Sequence, residues 1–411
     1  MRILIVADNA STRFGGEAFI PFNYFRLLRS RNLEVLLVVH ARNKKELTEL
    51  FPNDLGRLHF VEDTYSHKIL FHLGNYLPRR LADATTGLLI HLMTQFVQRR
   101  VIKGLVKQFR IQVVHQPIPV SPKMPSQIFN LGAAVIIGPL NGGMEYPPAF
   151  QVERGVLSSI SMTLGRSISL LINLLIPGKR LAKLILVANA RTRRALPWGI
   201  KGRVEQLVEN GVDLSIWQRK PADQPSNPVT RLIFVGRLID WKALEIVFAA
   251  VERARKEIAV CLEVIGDGPM RHSWETMANQ MGLKSVVKFS GFLSQPVCAE
   301  RLRQADIFVL PSLFECGGAV VLEAMAVGLP VIATAWGGPL DYLDSSCGIL
   351  VEPSSREGLV EGFSNAIVKL AKSPSLRTQM GQCGHDRARQ NFGWERKIDK
   401  VLEFYASVAG Q

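Results

Sequence analysis

Short apolar runs punctuate this chain, and each is broken by glycine, proline or asparagine before a stretch with helical spacing. Residues 3–7 form the first run, followed by 34–39, 113–115, 133–137 and 184–188, and a further strand is read at 204–208, which Glu205 and Gln206 interrupt. After residue 230 the pattern restarts, with runs at 232–235, 307–311 and 329–334 and strands read at 261–265 and 287–289, which Glu263 and Lys288 interrupt. Runs without polar alternation mark strands buried on both faces, as in a parallel sheet. Helices are predicted from near residue 16 and over 190–196, 244–256, 319–327, 356–372, 377–390 and 394–408. Strand and helix alternate on both sides of residues 218–230, which are polar, proline-rich and aperiodic. This predicts an α/β protein with domains at 1–217 and 231–392, a linker at 218–230, and a terminal helix at 393–411 packing back on the first domain.

The densest pattern lies at 305–342, read as strand, loop, helix, strand, loop. Gly328 suits the left-handed turn after a helix, and Pro330 prevents continuation. A strand–glycine–helix junction such as 311–319 offers free backbone N–H groups and the positive end of a helix dipole, which favour an anion such as phosphate. Two carboxylates flank this junction. Glu315 lies in the loop, and Glu323 sits inside the helix, on the order of 7 Å from its start. Gly15-Gly16 after the first strand makes a weaker junction of the same kind. The loop 138–148, with Asn141, Gly142 and Tyr146, follows a strand and is a candidate site element, because ligands bind beyond the carboxyl ends of parallel strands. Turns at Gly236-Arg237-Leu238 and Gly266-Asp267-Gly268 occupy equivalent places.

Charge and composition narrow the partners. The 411 residues carry 50 Lys and Arg against 35 Asp and Glu, a net +15, which points to an acidic or phosphorylated partner. No compact basic motif or aromatic-interleaved platform is visible, so nucleic acid is not expected. Mean hydropathy is +0.13, yet no apolar run is long enough for a membrane-spanning helix. Residues 3–7 are too short a run for a signal peptide and read as a strand. Residues 65–110 form a helical pattern, apolar on one side and basic on the other; between 79 and 110 lie seven basic residues against one acid, Asp83. A second such stretch spans 156–184. Both suit either a packed helix with a solvated face or peripheral contact with an anionic membrane. Five cysteines without paired spacing are expected to be free thiols in a reducing, cytoplasmic setting, at the inner face of the plasma membrane.

Seven short motifs then occur in order over residues 210–353. They are Asn210-Gly211-Val212-Asp213, Val235-Gly236-Arg237-Leu238 with Lys242, Ile265-Gly266-Asp267-Gly268-Pro269, Gly291-Phe292, Glu315 and Glu323 within ECGGAVVLEAMAVGLPVIAT, Gly337-Gly338-Pro339-Leu340-Asp341, and Gly348-Ile349-Leu350-Val351-Glu352-Pro353. In this order they resemble the retaining GT-B glycosyltransferases of family 4, while the first half matches more loosely. The resemblance implies two Rossmann-like domains with parallel sheets facing a cleft, and transfer of a sugar from a nucleotide diphosphate sugar to a glycan or lipid-linked acceptor. It further implies that Arg237 and Lys242 bind the diphosphate, and that the N–H groups of Gly317, Gly318, Ala319 and Val320 bind the distal phosphate. Glu315 would hold the donor sugar hydroxyls, Glu323 the ribose diol, and Gly15 and Gly16 would approach the phosphates, with Asn141, Gly142, Gly266 and Asp267 also lining the donor site. No metal motif of the Asp-x-Asp kind stands in a suitable loop, so neither a metal nor a cofactor is expected. Ala243 stands where many relatives have glycine, and Asp341 where many have glutamate. Pro139-Leu140-Asn141 replaces a histidine common in relatives, leaving His115 as the nearest candidate for chemistry. A nucleotide-sugar epimerase of the same architecture and a non-catalytic binding protein are the alternatives.

Overall fold

The structure, a computed structural model, describes residues 1–13, 16–77, 82–151, 169, 171–220 and 228–410. Gly15, Arg79, Arg80, much of the 156–184 stretch and most of the 218–230 linker lie outside the described residues. The chain forms two units: residues 1–143, 156–209 and 397–411 make the first, residues 144–155 and 210–396 the second. The first unit thus differs from a domain over 1–217. Residues 210–217 go with the second unit because Val212 bridges to Gly393, Trp217 is buried, and the following Lys220 N–H donates to the Val327 carbonyl.

The first unit holds seven parallel strands: β1 (Arg2–Val6), β2 (Glu34–His40), β3 (Leu58–Val61), β4 (Val113–Gln116), β5 (Ala134–Leu140), β6 (Leu184–Val187) and β7 (Arg203–Gln206). Their order is β3-β2-β1-β4-β5-β6-β7, so the direction of winding reverses between β1 and β4. The helices used below are α1 (Gly16–Ser30), α2 (Tyr65–Gly74) and α3 (Leu88–Phe109). The helical pattern over 65–110 is therefore two principal helices rather than one. Ile102, Leu105 and Val106 of α3 pack into the core with Leu4, Val38, Val114 and Ile137 of the sheet.

The second unit holds six parallel strands: β8 (Thr230–Val235), β9 (Val260–Ile265), β10 (Val287–Gly291), β11 (Ile307–Leu310), β12 (Val331–Thr334) and β13 (Gly348–Val351). The order is β10-β9-β8-β11-β12-β13, with Ile307 and Phe308 paired to Leu232 and Ile233. Around it lie α4 (Leu244–Ala254), α5 (Arg271–Gln280), α6 (Ala319–Val327), α7 (Arg356–Lys372) and, running on into the first unit at Lys397, α8 (Trp394–Ala409). The apolar pattern does not single out β3 and β13. Both are four-residue edge strands: His59 interrupts the apolar pattern of β3 (LHFV), whereas β13 (GILV) is apolar but short and stands among turn residues.

Candidate functional site in the second unit

The winding of the second sheet reverses between β8 and β11, and the chain leaves those neighbouring strands in opposite directions. Ligands of open α/β sheets bind outside the carboxyl ends of strands at such a point. The turn after β8 carries Gly236 and Arg237, and the loop after β11 carries Glu315.

Glycine is required here by space. Gly266 has φ +135°, and a Cβ on it would lie 1.9 Å from the Gly236 carbonyl oxygen. The turns after β8 and β9 thus lie backbone against backbone. They are tied by the Leu238 N–H to the Asp267 carbonyl at 2.9 Å and the Met270 N–H to the Leu238 carbonyl at 3.0 Å. Asp267 accepts from the Gly268 N–H at 2.7 Å and from the Arg271 guanidinium at 3.0 Å, and these bonds hold its exposed carboxyl below the usual range. Its side chain is committed to the start of α5.

Lys242 ends a single 3₁₀ turn, Asp240–Lys242, and Ala243 after it has φ +50°. Alanine in place of glycine at this point still adopts the left-handed conformation. The Lys242 ammonium pairs with the Glu315 carboxylate, 73 positions away, and their side chains are only 11% and 14% exposed. Arg237, in the turn directly after β8, is exposed and makes no side-chain hydrogen bond or ion pair among the described residues. One cation is therefore buried and paired, and a second stands open to solvent beside it in sequence.

The Glu315 backbone is clamped. Its carbonyl accepts from the Gly338 N–H at 2.7 Å, and a Cβ on Gly337 would lie 2.3 Å from that oxygen. Gly318, at φ +74°, forms the N-cap of α6, with the Glu315 Cγ 3.0 Å from where its Cβ would be. The first N–H groups of a helix lack intrahelical acceptors, so Ala319 and Val320 present theirs at this end. Glu323 lies on α6 among buried Val321, Leu322 and Ala324. Desolvation pushes its carboxyl up to about 8, although part of the residue remains at the surface, and no side-chain partner meets it among the described residues. It also helps burial to hold the Cys298 thiol up, at about 12.

Residues 144–151 pack on this unit. Met144 lies against Gly337, the Trp336 indole N–H donates to the Glu145 carbonyl at 2.8 Å, and the Tyr146 ring stacks on Phe314 at 5.2 Å. The loop 138–148 is visible in sequence as a site element, but nothing in it signals that Tyr146 meets the residue preceding Glu315.

The remaining candidates belong to the first unit. Gly16 opens α1 with open space around it, while Gly15 is outside the described residues. Asn141 is buried: its amide NH₂ donates to Glu209 at 2.7 Å, and its oxygen accepts from Thr192 at 3.3 Å and Arg191 at 3.4 Å. The Gly142 N–H donates to the Thr192 hydroxyl. These bonds fix the loop after β5.

His115 requires a correction. It lies within β4, fully buried, with Nε2–H donating to the Gly138 carbonyl at 2.5 Å and Nδ1 accepting from the Tyr405 hydroxyl at 2.6 Å. Burial is the main cause that drives its pKa down to about 4, against the opposing Gly138 bond. A neutral ring with both nitrogens engaged and no exposed atom is a core residue, with no route to an acceptor hydroxyl. No disulfide joins the five cysteines. Among the described residues no group of three His, Cys, Asp or Glu side chains is placed to hold a metal.

Residues 218–387 match the family model described as Glycosyl transferases group 1. A lipopolysaccharide core biosynthesis glycosyltransferase, LpsE, of Rhizobium meliloti is 32% identical over 188 residues, covering 46% of this chain and 51% of the relative. The chain spans about half the length of the curated relatives it matches first. Among solved structures, a sucrose-phosphate synthase of Thermosynechococcus elongatus superposes with a TM-score of 0.68 at 18% identity, over 100% of both chains. The Anabaena protein HepE, solved with UDP, gives 0.68 at 16% identity over 99% of this chain and 100% of that one. Two Rossmann-like units, of seven and six parallel strands, give this chain the GT-B fold, and its residues 218–387 match the glycosyl transferases group 1 family.

Proposed function

We propose that the protein is a retaining glycosyltransferase that moves a sugar from a nucleotide diphosphate sugar to a lipid-linked or polysaccharide-precursor acceptor. The observation that carries this reading is the buried Lys242–Glu315 pair at the reversal point of the second sheet, next to the open end of α6. Diphosphate oxygens take Lys242 and Arg237, and the N–H groups at Gly317 to Val320 receive the distal phosphate. Lys242 turns from Glu315 to the phosphate, which frees Glu315 to accept from hydroxyls of the donor sugar. Glu323, in its ionised form, accepts from both hydroxyls of the ribose.

The bond from the sugar's anomeric carbon to the distal phosphate oxygen breaks, and the acceptor oxygen bonds to that carbon on the same face. The acceptor proton passes to the departing phosphate oxygen, so no protein base is needed, in keeping with the burial of His115. The developing negative charge on the leaving group is what Arg237, Lys242 and the α6 N–H groups stabilise. Transfer needs no metal. The HepE structures with UDP and UDP-glucose support a uridine donor, and the LpsE relative supports a cell-surface glycan acceptor.

The test is a thermal-shift series with UDP-, GDP- and ADP-sugars, followed by donor consumption with membrane extracts, with and without chelator. One nucleotide class should stabilise the chain, by about 2.7 kcal/mol at a hundredfold excess over Kd, and chelator should leave turnover intact. If no nucleotide shifts the melting curve and no donor is consumed, the proposal fails; activity abolished by chelator removes its metal-free form.

A further inference from the structure

We propose that the first unit carries a docking surface for an anionic lipid bilayer, made from the outward sides of α2 and the first half of α3, the helical residues 171–175 and the loop at Trp198. This inference stands apart from the transfer chemistry and is tested without it.

The charge of the molecule is confined to one half. Residues 1–209 contain 28 Lys and Arg against 13 Asp and Glu, a net +15, whereas residues 210–411 contain 22 of each. The whole excess of positive charge therefore lies in the half that contributes most of the first unit. From residue 84 to residue 204 there are 16 basic residues and only two acids, Glu145 and Glu153.

Large apolar side chains stand in water on the same half. On α2 and just beyond it, Tyr65 is 79% exposed, Phe71 66% and Tyr76 78%. Among the residues of α2 only His67 is buried, so this helix turns most of its apolar residues away from the core. Leu89 and Phe96 are exposed on α3, as are Leu174 and Leu175 further on, and Trp198 is 80% exposed. Scattered exposed apolar residues need no explanation, but a run of them on adjoining elements does.

These elements do adjoin. His67 of α2 meets the Thr94 hydroxyl of α3 at 3.2 Å. Gln95 of α3 accepts from the Gln127 N–H at 2.7 Å, and the chain just before it, at Lys123, accepts through its carbonyl from Ser169 and Asn173. Arg180 then donates to the Leu174 carbonyl and lies beside Gly199, next to Trp198. Cations accompany the apolar side chains: Arg100 sits 4.5 Å over the Phe96 ring, Lys103 and Lys107 are exposed one and two turns further along α3, and exposed Arg193, Arg194 and Lys201 lie within five residues of Trp198 in sequence.

Among the described residues no helix is long and apolar enough to cross a membrane. Aromatic and aliphatic side chains rimmed by Lys and Arg instead suit a protein lying in the interface of anionic lipid, with rings at headgroup level and cations on the phosphates. A second copy of the chain is the poorer occupant. A two-fold contact would set this surface on itself, bringing like charge against like charge.

The experiment is flotation of the full chain with vesicles of phosphatidylcholine alone, or containing about one-third phosphatidylglycerol. The bound fraction should be at least about fivefold higher with the anionic lipid and should fall as salt is raised from about 0.1 to about 0.5 M. The double substitution Phe71→Ser with Leu175→Ser should reduce binding about tenfold with an unchanged melting temperature, since both side chains are exposed. Lys103→Glu with Lys107→Glu should reduce binding to anionic vesicles only. Equal binding to neutral vesicles, no binding to either, or a dimer seen by light scattering that the same substitutions dissociate would each overturn the inference. Flotation without sugar transfer would sink the proposed activity and leave this surface standing; transfer without flotation would do the reverse.

Discussion

Lys242 and Arg237 are five positions apart, but their environments separate stability from binding. Removing Lys242 leaves the Glu315 carboxylate buried without its partner, which costs about 3 kcal/mol. Arg237 is exposed and unpartnered among the described residues, so Arg237→Ala should change stability by less than about 0.5 kcal/mol. Both substitutions should weaken nucleotide-sugar binding about tenfold or more, as expected on losing a charge-assisted contact. Urea denaturation and calorimetric titration of the two variants check this, and equal stability losses would contradict it. Glu323 gives a pH signature. Its folded pKa is about 8 against an ordinary 4.5, so the folded state holds a proton that the unfolded state has released. Stability is full below about 4.5 and falls as pH rises towards 8, by up to about 1.4 kcal/mol per unit. Lys179 and Lys397, lowered to about 7 by burial, act in the opposite sense above that pH. The difference between the native chain and Glu323→Gln, followed from pH 5 to 9, isolates the carboxyl. A pH-independent difference would show that Glu323 is not desolvated.

At the scale of elements, the site is a set of turns pressed together, and glycines set how close they come. Gly266→Ala places a methyl group against the Gly236 carbonyl and a side chain at φ +135°, and should destabilise the second unit by about 3 kcal/mol. Chemical denaturation of that variant measures it; a change below about 1 kcal/mol would mean that the β8 and β9 turns are less tightly apposed. The loop after β5 shows the opposite side of the same point. Its composition marks it as a site element, yet Asn141 and Gly142 spend their polar groups on Glu209, Arg191 and Thr192. Composition identifies a loop able to hold unusual backbone; it does not say whether its hydrogen bonds go to ligand or to protein.

For the whole molecule, the first unit is completed by the end of the chain. Ile398, Val401, Phe404, Tyr405 and Val408 of α8 are buried, and Tyr405 bonds to His115 in the central strand β4. At about 2 kcal/mol for each such side chain, their loss is comparable to the entire stability of an ordinary domain, about 5 to 15 kcal/mol. Truncation after Arg396 should therefore unfold the first unit, seen as rapid proteolysis of residues 1–209 and loss of a large part of the circular dichroism; a truncated chain that melts at the native temperature would contradict this. The alternation of buried strands and helices was legible in the sequence because it depends on local spacing: β1, β2, β5, β6, β8, β11 and β12 coincide with apolar runs, while the edge strands β3, β7 and β10 carry His59, Glu205 and Lys288. The ordered motifs at 236–242, 266–268 and 315–323 were legible for the same reason, since a turn needs its glycines wherever it lies in space. By itself, then, the sequence determined the α/β class and the places of its glycine-bearing turns. Only the tertiary structure decided that Lys242 meets Glu315, that His115 is closed in by Tyr405 and Gly138, that Tyr146 stacks on Phe314, and that residues 397–411 belong to the first unit. Periodicity states which face of an element is buried. Which distant side chain shares that burial is settled by packing across tens to hundreds of residues, and no local pattern encodes it.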